Sequence, residues 1–250
     1  MILAGPIGTM CATTAMSNPR VIRAHLLFAA ALLSLVAAPS LAQFEGIVET
    51  ANVSTDEYGR ALTFTMTMWV APNGVRIGIP ATGENPGVTI IGRTDRAVRW
   101  ILNDVDRTYF ELPVEAPPED DRPPAEAAGF ERTGKTKKIL GYNAEQLLLK
   151  SGSLKTEIWA TRDLRPLVET LDKALGAGGV EGGGPWSNEL TRLGLFPLRA
   201  LTKDGKDVLE SSDVTKIRRV RVDPALLELP ADYKRQGVRD VIREQTAPEP

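Results

Sequence analysis

Leu62-Thr63-Phe64-Thr65-Met66-Thr67-Met68-Trp69-Val70 places threonine at every second position from Thr63 to Thr67 between large apolar residues, with Trp69 in the next such place. A period of two is the mark of a strand, because a helix would need its apolar residues three and four apart. Leu62, Phe64, Met66, Met68 and Val70 therefore share one face, and Thr63, Thr65, Thr67 and Trp69 share the other. Pro72-Asn73-Gly74 supplies a turn with a position of positive φ, and Val75, Ile77 and Ile79 continue the alternation on a returning strand. A sheet with one apolar face must cover that face or offer it to an apolar guest.

Similar signals recur along the chain. Residues 44–49 read as a first strand, and 88–92, 97–102 and 108–112 as later ones, with Asn103-Asp104-Val105-Asp106 turning between the last two. Short consecutive strands with tight turns make an antiparallel meander and not βαβ units. Strand character resumes over 130–140, 142–150 and 154–161, and again over 196–202, 206–212 and 214–222. A helix is expected over 163–175, with Asp163 as its N-cap, Pro166 in its first turn, and Leu164, Leu167, Val168, Leu171 and Leu175 as an apolar stripe. A second short helix is expected over 186–195.

Two segments interrupt this pattern. Residues 113–129 are rich in proline and acid, cannot donate regular ladder hydrogen bonds, and read as a solvated loop. Residues 176–184 are rich in glycine and read as a flexible tether. The fold class expected is mainly β (α+β): a single large curved antiparallel sheet over 43–236 with inserted helices, followed by a polar tail at 237–250.

Arg20 and Arg23 precede an apolar run from Leu26 to Ala38, and Ser40-Leu41-Ala42 places small residues where a signal peptidase cuts. A spanning helix would need about 20 apolar residues, more than this run holds. Residues 1–42 are therefore expected to be a signal peptide, with Met16 as an alternative start, and the mature chain to be periplasmic or otherwise exported. The single Cys (Cys11) and the single His (His25) both lie in this segment. The mature chain then has no disulfide, no cysteine nucleophile, no His-based triad and no His or Cys metal site. Removal costs two arginines and no acids, so the balance of 30 basic and 32 acidic residues shifts to mildly acidic. That suits neither a phosphate backbone nor an anionic lipid surface, and no nucleic-acid partner is expected.

Gly129-Phe130-Glu131-Arg132-Thr133-Gly134-Lys135-Thr136 fits G-x-x-x-x-G-K-[ST], but the phosphate loop needs a buried strand before it and a helix after it. Here a Pro/acid stretch precedes and a strand follows, so the match is read as coincidence. The acid pairs Asp104/Asp106 and Glu119/Asp120/Asp121 lack the spacing of a Ca²⁺ loop, and the mature chain has no S-x-x-K. No catalytic, cofactor-binding or metal-ligating residue is assigned. The candidate ligand-cavity residues are Phe64, Met66 and Met68 on the first strand face, Val98, Trp100 and Leu102 by alternation, and Leu167 and Leu171 from the helical stripe. Thioethers on one face suit varied apolar shapes; the plainer reading of the same face is an ordinary sheet core.

The run Thr133-Gly134-Lys135-Thr136-Lys137-Lys138-Ile139-Leu140-Gly141-Tyr142-Asn143-Ala144-Glu145-Gln146, with Ile158-Trp159-Ala160-Thr161 after it, resembles a domain-of-unknown-function family of exported bacterial proteins. Phe44-Glu45-Gly46 and Leu229-Pro230-Ala231-Asp232-Tyr233 fit the same family. The resemblance implies a fold similar to the LolA/LolB lipoprotein carriers, an incomplete antiparallel β-barrel with helices packed on its concave side. Those carriers hold acyl chains, so a lipid or a lipoprotein is the partner that the resemblance implies. The expected function is non-catalytic binding of an apolar ligand. The alternatives are an envelope protein–protein interaction module with a self-filled core, and a hydrolase built on carboxylates with Lys or Ser.

Overall fold

The computed structural model describes residues 43–55, 59–81, 86–114, 129–176 and 186–237. The expected signal peptide, most of the Pro/acid loop and of the glycine-rich tether, and the tail beyond Gly237 lie outside the described residues. The chain is mainly β, with few helices, and forms a single large open curved sheet of 12 strands.

Strands β1 (Gly46–Thr55), β2 (Ala61–Ala71), β3 (Gly74–Ile79), β4 (Val88–Arg93), β5 (Val98–Asn103) and β6 (Thr108–Pro113) form one meander. Strands β7 (Phe130–Ile139), β8 (Tyr142–Ser151), β9 (Leu154–Thr161), β10 (Phe196–Asp204) and β11 (Asp207–Arg218) form a second. The first strand of one pairs with the last of the other, Val48 opposite Ile217 and Asn52 opposite Ser212. The sheet order is therefore β12-β6-β5-β4-β3-β2-β1-β11-β10-β9-β8-β7. The short β12 (Lys234–Arg235) runs parallel to β6, whereas the other pairings are antiparallel. Two expected strands, 206–212 and 214–222, merge into β11, because Asp213 keeps its place in the ladder and ion-pairs with Arg199 at 3.0 Å.

Directly opposed residues in a ladder point to the same face. Val48, Met68, Ile77, Ile90, Ile101 and Phe110 stand opposite one another from β1 to β6 and define the face that carries the helices. Helix α1 (Arg165–Leu175) lays Leu167, Val168 and Leu175 onto this face, where Val48, Met68, Val70, Val75 and Ile77 are buried. Each such side chain contributes about 1.5–3 kcal/mol on burial. Leu164 and not Asp163 is the N-cap of α1. The Asp163 carboxylate instead accepts the backbone N–H of Asn143 at 3.1 Å and so ties the start of β8 to the helix entrance. Helix α2 (Trp186–Arg192) is shorter than the expected 186–195 and packs Leu190 on Leu147, Ile158, Ala160 and Ala200.

On the opposite, outer face, Trp69, Arg76, Ile91, Trp100 and Glu111 are the opposed set. The segment 219–236 runs over it as a strap. Asp223 starts a 3-10 turn, Pro224–Leu227, by accepting from Ala225 N–H. Arg76 donates to Leu226 O at 3.4 Å and Arg93 to Leu227 O at 3.3 Å. Leu227, Val222 and Ala71 are buried together.

Candidate ligand site on the helix face

The eight candidate residues divide between the two faces. Met68 and Leu167 are buried against each other's cluster, with Met66 and Leu171 half-buried around them. Phe64 lies on the same face, half-buried and further along β2. Val98, Trp100 and Leu102 are not with them. They point to the outer face, where Trp100 and Leu102 are buried with Ile91 beneath Leu229 and Tyr233 of the strap. The reason lies in the sheet: Val98, Trp100 and Leu102 are the apolar face of β5, with Arg99, Ile101 and Asn103 on the other, but the strap covers the outer face as α1 covers the inner one, so an apolar face alone does not say which side it takes. Pairing with β4 decides the side, with Ile101 opposite Ile90 and Trp100 opposite Ile91.

The residues that do share a surface with Phe64 and Met66 are Ile79, Val88, Ile101 and Phe110. Ile79 stands opposite Val88, and Ile101 opposite Phe110, all on the helix face. All six are half-buried, whereas Met68, Ile77 and Ile90, two residues along their own strands, are buried. The helix face thus has a filled half, beneath α1, and a half-open apolar strip beyond it. Ile79, Val88, Ile101 and Phe110 were missed from the sequence; pairing each hairpin through its turn, outward from β2, is the signal that finds them. Polar groups border the strip on β1: Thr50 and Asn52 oppose Met66 and Phe64, and Asn52 Nδ2 donates to Thr50 Oγ1 at 3.0 Å.

The end of α1 meets β4 and β5 closely. A Cβ on Gly92 would lie 2.3 Å from the Ala174 carbonyl oxygen, so only glycine admits the helix end here. Arg99 Nη1 donates to Leu175 O at 3.2 Å.

Two depressions lie away from the strip. One of about 200 Å³ sits between the helices, lined by Arg165, Asp172, Arg192 and Gly194 among others. The other, of about 420 Å³, is on the outer face, where Val98 and Trp100 lie with Arg96, Glu111 and Arg235. Its cations are already paired: Arg235 with Glu111 at 3.0 Å, and Arg96 with Glu228 at 3.3 Å.

Ionisable groups elsewhere are engaged in fastening. Arg93, 4% exposed, binds Asp95 at 2.6 and 2.8 Å and also Glu228. The hydrogen bonds from Arg93 hold both carboxyls below their usual range. Glu157 is pushed up by burial, but hydrogen bonds from Trp159 and Gln146 and the charge of Lys137 leave it lowered overall. The run that carried the family resemblance assembles here. Thr133 Oγ1 donates to Gln146 Oε1 at 2.9 Å, Lys137 Nζ lies 3.8 Å from the Trp159 ring centre, and Trp159 Nε1 donates to Glu157 at 2.8 Å. These contacts fasten β7 through β8 to β9. The run from Gly129 to Thr136 leads into and along β7, with strand and not helix after Gly134, so it forms no phosphate loop. Among the described residues no three His, Cys, Asp or Glu side chains converge as a metal site.

Residues 44–233 match the family described as Domain of unknown function (DUF4412). The chain belongs to that family. No curated protein matches this DUF4412 chain in sequence. Among solved structures it is similar to an uncharacterized conserved protein from Thermus thermophilus, at 14% identity and TM-score 0.45, over 77% of this chain and 90% of that one. It is similar to PNGF-II at 14% identity and TM-score 0.42, over 80% of this chain and 33% of that longer one. A LolA superfamily protein, NE2245 from Nitrosomonas europaea, matches at 10% identity and TM-score 0.33, over 75% of this chain and 91% of that one. None of these likenesses assigns a ligand or an activity to the DUF4412 chain.

Proposed function

We propose that this protein is an exported, non-catalytic binder of an acyl chain, carried free or on a lipoprotein, and that the chain lies along the strip Phe64, Met66, Ile79, Val88, Ile101 and Phe110. The observation that supports this is the half-burial of six apolar side chains on one continuous face, beside a half that α1 covers fully. Such a strip gains about 25 cal/mol for each Å² that a guest removes from water. Export rests on the N-terminal sequence; no helix of the described residues is long and apolar enough to cross a membrane. The non-catalytic reading rests on the residue inventory of the mature chain and on carboxylates that are tied to arginines, as Asp95, Glu228 and Glu189 are.

Native mass spectrometry of the protein purified from its own envelope tests the reading, together with titration of a fluorescent C16 lipid. Ile101→Asp and Phe110→Asp are expected to weaken lipid binding at least tenfold, and the exposed Val105→Asp to leave it unchanged. A chain that carries no lipid and takes up none would end the proposal. A second reading, docking of an envelope protein, is favoured by β7, a sheet-edge strand of 10 residues that is mostly exposed. An envelope protein that co-purifies while the lipid titration stays flat would put this reading first.

A further inference from the structure

Among the described residues, two buried side-chain polar atoms have no hydrogen-bond partner: Arg99 Nε and Thr108 Oγ1. Both lie on the helix face and bracket the opposed pair Ile101 and Phe110. Arg99 is two residues before Ile101 on β5, opposite Gly92 and Leu112; Thr108 is two residues before Phe110 on β6, opposite Asn103. Arg99 makes one hydrogen bond, from Nη1 to the neutral Leu175 carbonyl at the end of α1. That carbonyl carries only the partial negative charge of a helix C-terminus. No carboxylate of the described residues lies within ion-pairing distance of Arg99, whereas Arg93, Arg96, Arg107, Arg132 and Arg192 each have one.

A partly buried cation without a counter-ion is costly, and a buried N–H without an acceptor adds to that cost. An anion is the partner whose chemistry would meet both the charge and the open N–H. Guanidinium donors form a planar fork that matches the two oxygens of a carboxylate or a phosphate. The apolar strip starts one step along the same face, at Ile101, about 7 Å away at the rise of a β-strand.

We propose that Arg99 holds the anionic head of the ligand, and that the ligand class is a single-chain amphiphile with a carboxylate or phosphate head. Its chain runs from Arg99 over Ile101 and Phe110 toward Met66 and Phe64. This rests on the acyl-chain reading above and adds the head group to it.

The test compares a fluorescent C16 fatty acid with its methyl ester on the mature protein, as wild type, Arg99→Gln and Arg99→Lys. The wild type is expected to bind the acid about tenfold more tightly than the ester, the worth of one charge-assisted hydrogen bond. Arg99→Gln, which keeps a donor for Leu175 O, should lose that preference with ester affinity unchanged, and Arg99→Lys should keep part of it. Equal binding of acid and ester by the wild type, or a preference that survives Arg99→Gln, would overturn the head-group assignment and leave the acyl-chain reading standing. Failure of both ligands to bind would overturn the two together. Inorganic phosphate bound alone as tightly as the fatty acid would make Arg99 a free-anion site and overturn the amphiphile. Should Arg99→Gln not fold, the wild-type comparison decides.

Discussion

β4 and β7 belong to one sheet and are buried to opposite extents. Five of the six residues of β4 (Val88–Arg93) are buried, because α1 lies on one of its faces and the C-terminal strap on the other. β7 is mostly exposed on both faces, and Arg132, Lys135, Lys137 and Lys138 fill it. The difference follows from sheet order: β4 is flanked by β3 and β5, while β7 has β8 on one side and the sheet edge on the other. Lysines at an edge also repel a second copy of the same edge. A strand's charge thus reports where in the sheet it lies, while its alternation reports only that it is a strand.

The sharpest way to break this contrast is to empty the covered half. Leu167→Ala should lower the unfolding free energy by about 2–5 kcal/mol in urea titration, since Leu167 is fully buried between α1 and the sheet. Next in size is Gly92→Ala. Its new methyl meets a backbone carbonyl at 2.3 Å, so the end of α1 must shift, at an expected cost of about 1–3 kcal/mol. Hydrogen exchange over 165–175 should rise in this variant and stay unchanged over β7.

The outer face offers a pH test. Arg93 holds Asp95 and Glu228 below their ordinary values of 3.8 and 4.5. Carboxyls lowered on folding add stability that is present above those ordinary values and is lost as pH falls through the folded ones. Protection of the strap, residues 219–236, against hydrogen exchange should therefore be flat from about pH 5 to 8 and fall below about pH 4. Arg93→Gln should weaken the strap at neutral pH and remove most of the acid-dependent part. A strap that loosens between pH 5 and 8 would point to a different clamp. The smallest effect is expected on β7, where Lys138→Glu should change stability by less than about 0.5 kcal/mol. A cost comparable to that of Leu167→Ala would show that this edge is covered after all.

Much of the fold is legible in single strands. The expected strands agree with β2 to β9 within a residue or so at their ends, because turn residues such as Pro72-Asn73 and Gly152 mark where each stops. The candidate site was half legible. Phe64, Met66 and Met68 share the helix face because threonine fills the alternate positions of β2 and gives the alternation a direction. Val98, Trp100 and Leu102 form the apolar face of β5, but α1 covers one side of the sheet and the strap the other, so the same rule does not say which side that face takes. Asp163 misled for a related reason: a carboxylate before a helix caps it only if no nearer donor competes, and the Asn143 N–H, twenty residues away in sequence, does compete.

The residue pattern by itself determined that the chain is built of short antiparallel strands with one amphipathic helix, since periodicity and turn chemistry act over a few neighbouring residues. Tertiary structure decided which face of each strand looks at that helix, which strand became the edge, and that Arg99 and Gly92 meet the end of α1, far along the chain from either. Those outcomes depend on register passed from strand to strand and on packing between distant segments, and no local window of sequence contains either.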